Sequence, residues 1–418
     1  MKIVLLIVTI IFFLGGCKVH KAENFVEDNQ IVINIADIGI GEDAEIFEGG
    51  FIDINLVGGQ IIDEYNTIVP ELLQVNLKYK NYLVNYDYVV ANGSVNIREA
   101  PNVQSNVIKK TAYYEKINLL ETVTGEYLEN YKNDKWCHVY WWDNQGEKHF
   151  GFVSSSVVRI RTFRFDEMYE ELLAVEGYTQ NAEITYINNY KNRSGEAPLY
   201  QGKGFDKHGV RRFQSAPGYT DLSNKDEFIY IEDGTLVKVI SKTNGYYKVK
   251  VLKNNVTAFV PEKYIKNSLR LKQLTKAIVI DVKNQNEGVF EKKNDQWTLI
   301  SNTLATTGAN EEYKLETPPG YYFAIEKKSK FLYLDDITKK VSGYAPYAIR
   351  FTGGTYIHGV PVAYKKDGNK LIDPGHIEYS GTIGTSPLSH RCVRNYTSHA
   401  KFLYDWVDIQ NTAVIVIH

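Results

Sequence analysis

From Gly93 onward the apolar residues come in short alternating runs cut by turn residues, a pattern of short β-strands rather than long helices. Ser94-Val95-Asn96-Ile97-Arg98, the run at 117–123, the run at 136–142 and Gly151-Phe152-Val153 follow one another with turns between them. Such a series predicts a small barrel over 93–160. A weaker copy comes next in the same order: Ser215-Ala216-Pro217, then 234–240, 245–251 and Ala258-Phe259-Val260-Pro261. It predicts a second, divergent barrel over 186–268. Further strand signals stand at 277–282, 297–301, 321–325, 331–334 and 413–417. Helical spacing is read at 165–175, where Met168, Leu172 and Leu173 stand among Asp166, Glu167, Glu170 and Glu171, and again at 397–406. The first of these predicts a short surface helix with a solvated acidic face, inside a linker over 161–185. The fold class is therefore mainly β, a C-terminal β-rich domain over 274–418 preceded by one or two small barrels. The 31 tyrosines, against 11 prolines and 2 methionines, suit half-buried sheet positions.

The chain has 418 residues, room for two to four domains. Its 48 Lys and Arg against 50 Asp and Glu leave a formal charge of −2, which argues against a nucleic-acid partner. Lys2 and the apolar run at 3–13 form a targeting segment too short to span a membrane as a helix. The run ends in Leu14-Gly15-Gly16-Cys17, which resembles the bacterial lipobox. That resemblance implies a signal peptide over 1–17 and acylation of Cys17, anchoring an exported protein in a membrane leaflet facing the cell wall. Residues 18–92 read as a spacer or a small β-rich region without an assigned function.

Cys17, Cys137 and Cys392 are the three cysteines. Cys137 stands in the apolar strand pattern Trp136-Cys137-His138-Val139-Tyr140-Trp141 and reads as a small packed hydrophobe. Cys392 therefore reads as a free thiol. No paired Cys/His spacing suggests a structural zinc site, and neither a metal nor a cofactor is expected. Cys392 stands in Ser389-His390-Arg391-Cys392-Val393-Arg394, with Tyr356-Ile357-His358-Gly359 upstream. The thiolate is the reactive form of cysteine, and imidazole or guanidinium neighbours raise its fraction at neutral pH.

These segments resemble the L,D-transpeptidase family, also called the YkuD domain, whose signature is His-Gly, a spacer, then Ser-His-Gly-Cys-x-Arg. Ile383-Gly384, Thr317-Pro318-Pro319-Gly320-Tyr321-Tyr322-Phe323 and Tyr347-Ala348-Ile349-Arg350-Phe351 before Gly353-Gly354 extend the likeness over roughly 276–418. The chain departs from the family at Arg391, where glycine is usual; a side chain there is tolerable if it points away from the developing oxyanion. The spacer after His358 is also long, and it contains a second histidine, His376, after the turn Asp373-Pro374-Gly375. His358 has the better local context for the base. The run at 93–160 resembles bacterial SH3 domains through Val95-Asn96-Ile97-Arg98, Trp136-x-x-Val139 and Gly151-x-Val153.

The resemblance implies a thioester acyl-enzyme on Cys392 formed from a peptidoglycan stem peptide and resolved by an amine to make a cross-link. It implies His358 as base, oriented by a carbonyl such as that of Gly359, and an oxyanion hole of N–H groups around Arg391 and Cys392. Arg394 is the expected carboxylate grip, with Ser389, His390 and Arg391 beside it in the substrate-binding set. Arg350 and Arg391 also read as ordinary surface charge, and His399 as structural. Two other readings use the same residues: a carboxypeptidase or hydrolase in which water resolves the acyl-enzyme, and a non-catalytic wall-binding lipoprotein. The barrels are read as wall binders, of peptide or glycan, or as spacers.

Overall fold

The computed structural model describes residues 59–418 apart from 181, 183, 267–272, 313, 336 and 369. Before residue 59 it describes only the antiparallel pairing of Val26–Glu27 with Gln30–Ile31. The apolar run at 3–13 and the lipobox with Cys17 lie outside the described residues. Among the described residues no helix is long and apolar enough to cross a membrane. The chain divides into two units, 1–53 and 54–418, and the second holds the larger sheets and both described α-helices.

The architecture is mainly β. One eight-stranded sheet runs Val158–Thr162, Asp87–Ala91, Lys116–Leu128, Asn133–Trp142, Lys148–Ser154, Asn96–Arg98, Val107–Lys110, with Ile61–Glu64 added beside Lys116–Leu128. Alternation sends Cys137, Val139 and Val153 inward with Val89 and Ile97. Burial pushes the Cys137 thiol up to about 12, so it packs as an inert hydrophobe. The sheet reaches back before residue 93. Asp87–Ala91 is buried along its whole length and paired on both sides, so it carries no alternation to read.

A six-stranded sheet comes next, in the order Ile184–Tyr186, Leu236–Thr243, Tyr246–Val251, Thr257–Pro261, Ser215–Tyr219, Phe228–Glu232. Asn244 and Gly245, both at positive φ, turn the hairpin between its second and third strands.

Helix α1 (Phe165–Thr179) lies between the two sheets in sequence; Asp166 and Glu170 of its acidic face are exposed, while the opposite face is buried more deeply than a surface helix would be. Phe165, Met168, Leu172 and Val175 form one stripe, fully buried in a core shared with Ala277, Val279, Phe290 and Trp297. Glu176, four residues beyond Leu172 on the buried stripe, accepts from Trp297 Nε1 at 2.7 Å and pairs with Lys292. Arg164, just before the helix, places two guanidinium nitrogens 2.8 and 2.9 Å from the fully buried carboxylate of Asp281. The 161–185 segment is thus mortar between layers.

The C-terminal part is two sheets face to face. The first runs Gly320–Phe323, Thr412–Ile417, Lys276–Asp281, Asn286–Lys293, Gln296–Leu304, Gln74–Val75. The second runs Glu326–Leu334, Val341–Thr352, Thr355–His358, Val393–Arg394, with Val362–Ala363 on Val341–Thr352. Period two divides the central strands: Ala277, Val279, Ala413 and Ile415 face the α1 core, while Ile278, Ile280, Val414 and Val416 face Ile349, Phe351, Ile357 and Val393 of the second sheet. Helix α2 (Thr397–Trp406) adds Leu403 to that second core. Gln74–Val75 pairs in parallel with Gln296–Leu304, so part of the presumed spacer is an edge strand of this domain.

Candidate active site

Thr355–His358 and Val393–Arg394 are parallel neighbours, with Ile357 opposite Val393 and His358 opposite Arg394. Ile357 and Val393 point into the core between the sheets, so alternation puts His358 and Arg394 on the other face. Cys392, two positions before Arg394, shares that face. The strand pairing thereby gathers the thiol, the imidazole and a guanidinium from segments that are distant in sequence.

His358 is 4 % exposed, and its Nδ1 lies 2.6 Å from the Gly359 carbonyl oxygen. A carbonyl only accepts, so Nδ1 carries the proton and Nε2 keeps its lone pair. Burial and the charge of Arg394 bring the imidazole down to about 4, against the Gly359 bond, which raises it. Cys392 is half-buried, with Sγ 3.9 Å from the Gly354 carbonyl oxygen. Burial raises its thiol pKa, opposed by the Tyr356 N–H and by the charges of Arg394 and Arg391. The resting pair is therefore neutral thiol and neutral imidazole.

Hydrogen bonds to the backbone fix the loop before Cys392. Ser389 Oγ donates to the Cys392 carbonyl at 2.5 Å and accepts the Arg391 N–H at 3.2 Å. Thr317 Oγ1 donates to the Arg391 carbonyl at 2.7 Å and accepts the Gly308 N–H at 2.8 Å. The Arg391 N–H, expected in the oxyanion hole, is thus already taken by Ser389 Oγ. Ser389 itself is 1 % exposed and serves the loop.

Arg391 sends its guanidinium to the six-stranded sheet, and its charge still acts on the Cys392 thiol. Both oxygens of Glu232 lie 2.7 and 2.8 Å from its Nη2. Arg350 is likewise not surface charge: it is 4 % exposed and pairs with Asp233 at 2.6 Å and Glu326 at 2.9 Å. Arg394 is half-buried, and its Nε is buried without a hydrogen-bond partner. Among the described residues no carboxylate pairs with it within 4 Å. His390 is exposed, and its carbonyl accepts the Leu315 N–H at 3.1 Å. His376 is exposed, with its ring against Tyr347 and Tyr344 at centroid distances of 5.4 and 5.8 Å.

One network escaped the sequence reading. Glu287 and His399, both fully buried, stand 3.3 Å apart, and Ser301 Oγ lies 2.9 Å from His399 Nε2. Asn395 donates its side chain to Glu287 at 2.9 Å and its N–H to the His358 carbonyl at 2.9 Å. The network therefore buttresses the strand that carries the imidazole. Its only sequence signal was the polar Asn286-Glu287 pair directly before Gly288-Val289-Phe290.

Residues 275–416 match the family model YkuD, L,D-transpeptidase catalytic domain. No curated protein matches the chain. Among solved structures, an L,D-transpeptidase from Mycobacterium smegmatis aligns at 17 % identity over 49 % of this chain and 78 % of its own, with a TM-score of 0.27. L,D-transpeptidase 3 from Mycobacterium tuberculosis aligns at 18 % identity over 45 % and 93 %, also at 0.27. A fused Zn-dependent amidase/peptidase/peptidoglycan-binding protein from Clostridium acetobutylicum aligns at 22 % identity over 36 % of this chain and 55 % of its own, with a TM-score of 0.25. The chain thus spans about half the length of that last protein. The family match coincides with the two facing sheets and the Cys392 loop: over residues 275–416 the chain carries a YkuD L,D-transpeptidase catalytic domain.

Proposed function

We propose that the protein is a cysteine-dependent L,D-transpeptidase that cross-links peptidoglycan stem peptides. The observation that carries this reading is the pairing of Thr355–His358 with Val393–Arg394, which sets His358, Arg394 and Cys392 on one face. His358 Nε2 takes the thiol proton as Cys392 Sγ bonds to the donor carbonyl carbon. The oxyanion forms beside the Cys392 N–H. The C–N bond to the terminal D-amino acid breaks, and its amine leaves with the proton held by His358, giving a thioester. An acceptor amine attacks next, passes its proton to His358, and the C–S bond breaks to restore the thiol. Arg394, without a carboxylate partner among the described residues, is suited to hold a substrate carboxylate through its planar fork.

Acylation of Cys17 would hold the protein at the envelope, in the leaflet facing the wall, and the two N-terminal β modules would bind wall peptide or glycan or set the height of the catalytic domain. The test is intact-mass analysis after exposure to a carbapenem, a β-lactam class that acylates this family's cysteine, together with incubation on tetrapeptide muropeptides. One adduct lost in Cys392→Ala, slowed in His358→Ala and unaffected in His376→Ala, with muropeptide dimers as product, is expected. Shortened monomers alone would replace transfer by hydrolysis, and no adduct on the wild type would leave only wall binding.

A further inference from the structure

The six-stranded module touches the catalytic domain on both sides of the nucleophile. On one side Glu232, the last residue of the strand Phe228–Glu232, holds Arg391. On the other, Asp233 accepts the Gly353 N–H at 3.1 Å, its carbonyl accepts Thr352 Oγ1–H at 2.5 Å, and Gly354 contributes the carbonyl beside Cys392 Sγ. Gly234 completes the grip: its φ is +84°, and a Cβ there would stand 2.0 Å from the Phe351 carbonyl oxygen. Two consecutive acidic residues and a glycine, all outside the catalytic domain, thus fasten the residue before the cysteine and the turn against its sulfur.

We infer that Glu232 is a positioning residue for the reaction: through Arg391 it holds the nucleophile loop in register and offsets a cation next to the thiol. This rests on the reading of Cys392 as nucleophile. Arg391 is pinned at three points. Its N–H and carbonyl are held inside the catalytic domain by Ser389 and Thr317, and its guanidinium is held only from the other module. Loss of Glu232 frees the third point and leaves the guanidinium uncompensated beside Cys392. The other charged or titratable groups acting on Arg391 and Cys392 are Arg394 beside the loop and Tyr356 and Tyr322 on the two sheets, while the neighbouring Asp233 carboxylate is committed to Arg350. Glu232 is therefore the carboxylate whose removal changes the balance at Arg391 with the Asp233 pair left intact.

The experiment uses the full chain and two independent readouts. Cys392 alkylation by iodoacetamide is followed by peptide mapping against pH, and muropeptide transfer supplies kcat and KM, in wild type, Glu232→Gln, Glu232→Asp, Arg391→Met and the Glu232→Gln/Arg391→Met pair. An uncompensated cation stabilises the thiolate, so Glu232→Gln moves the alkylation midpoint to lower pH. Arg391→Met moves it to higher pH, the double variant falls between, and Glu232→Asp restores the wild-type profile. The singles lower kcat on the order of tenfold, within the 10²-fold cost of an ångström-scale misplacement, with KM and Tm nearly unchanged. Superimposable alkylation profiles, or an unchanged kcat in Glu232→Gln, overturn the inference. A wild type that alkylates with the expected shifts but makes no transfer product refutes the transpeptidase reading and supports the role of Glu232. Should Glu232→Gln fail to fold, the opposite shift in Arg391→Met still decides.

Discussion

Asp233 Oδ2 and Arg350 Nη1 lie 2.6 Å apart between the six-stranded module and the catalytic sandwich, with side chains 0 % and 5 % exposed. Burial pushes the Asp233 carboxyl up, and Arg350 with the Asn189 and Gly353 N–H groups pulls it back. Arg350 also lies over the Tyr190 ring, 4.1 Å from its centroid. A pair so thoroughly removed from water is held by its partners, and deleting one leaves the other stranded. Arg350→Met should therefore lower unfolding free energy by about 3–5 kcal/mol, read from urea midpoints. A loss well under 1 kcal/mol would mean that water reaches Asp233 in solution.

Stability should depend on pH through His358. Its folded-state pKa, about 4, lies below the ordinary 6.5, so below pH 6.5 the unfolded chain binds a proton that the folded chain refuses. The resulting penalty is absent above pH 6.5, grows as pH falls toward 4, and is constant below that. At pH 5 it amounts to about 2 kcal/mol. Urea unfolding at pH 7 and pH 5 should show this extra loss in the wild type and not in His358→Gln; equal losses in both would place the imidazole in water.

The reactivity of the thiol should rise with pH. Burial raises the Cys392 pKa above its ordinary value, and the cations around it only partly reverse this. Iodoacetamide labelling of Cys392 should accordingly still be increasing above pH 8, with no plateau near neutrality. A plateau at pH 6–7 would indicate a preformed thiolate–imidazolium pair instead of a neutral thiol beside a neutral imidazole.

Gly234→Ala should be costly for two separable reasons. The left-handed backbone at φ +84° disfavours a side chain, and the new methyl would overlap the Phe351 carbonyl oxygen. A destabilisation of at least about 2 kcal/mol is expected, with faster proteolysis between the module and the sandwich. Gly245→Ala is the control: it also has positive φ, at +80°, but nothing lies within 4 Å of its added Cβ.

Much of the sandwich was legible because its central strands are short apolar runs bounded by turn residues. The runs at 277–282 and 413–417 became the central parallel pair, and the motif residues came together because strand pairing places His358 opposite Arg394. What stayed hidden depends on partners far away in sequence. Nothing local in Ser389-His390-Arg391 says that the arginine reaches Glu232, and nothing in 165–175 says that Glu176 meets Lys292 and Trp297. Asp87–Ala91 and Gln74–Val75 fall in the stretch read as a spacer or a small β-rich region, and nothing local told which sheets they join.

The strand Thr412–Ile417 sits between Gly320–Phe323 and Lys276–Asp281, and it comes after Cys392 in the chain. During synthesis Cys392 is therefore made before the strand that joins those two neighbours into one sheet. An incomplete chain can already carry Cys392, yet the layer beneath its loop is still split in two, because Gly320–Phe323 reaches Lys276–Asp281 only through Thr412–Ile417. Possession of the thiol and competence to use it are thus separated in time, and a cut between Cys392 and Thr412 should yield a protein with an intact motif and no organised site.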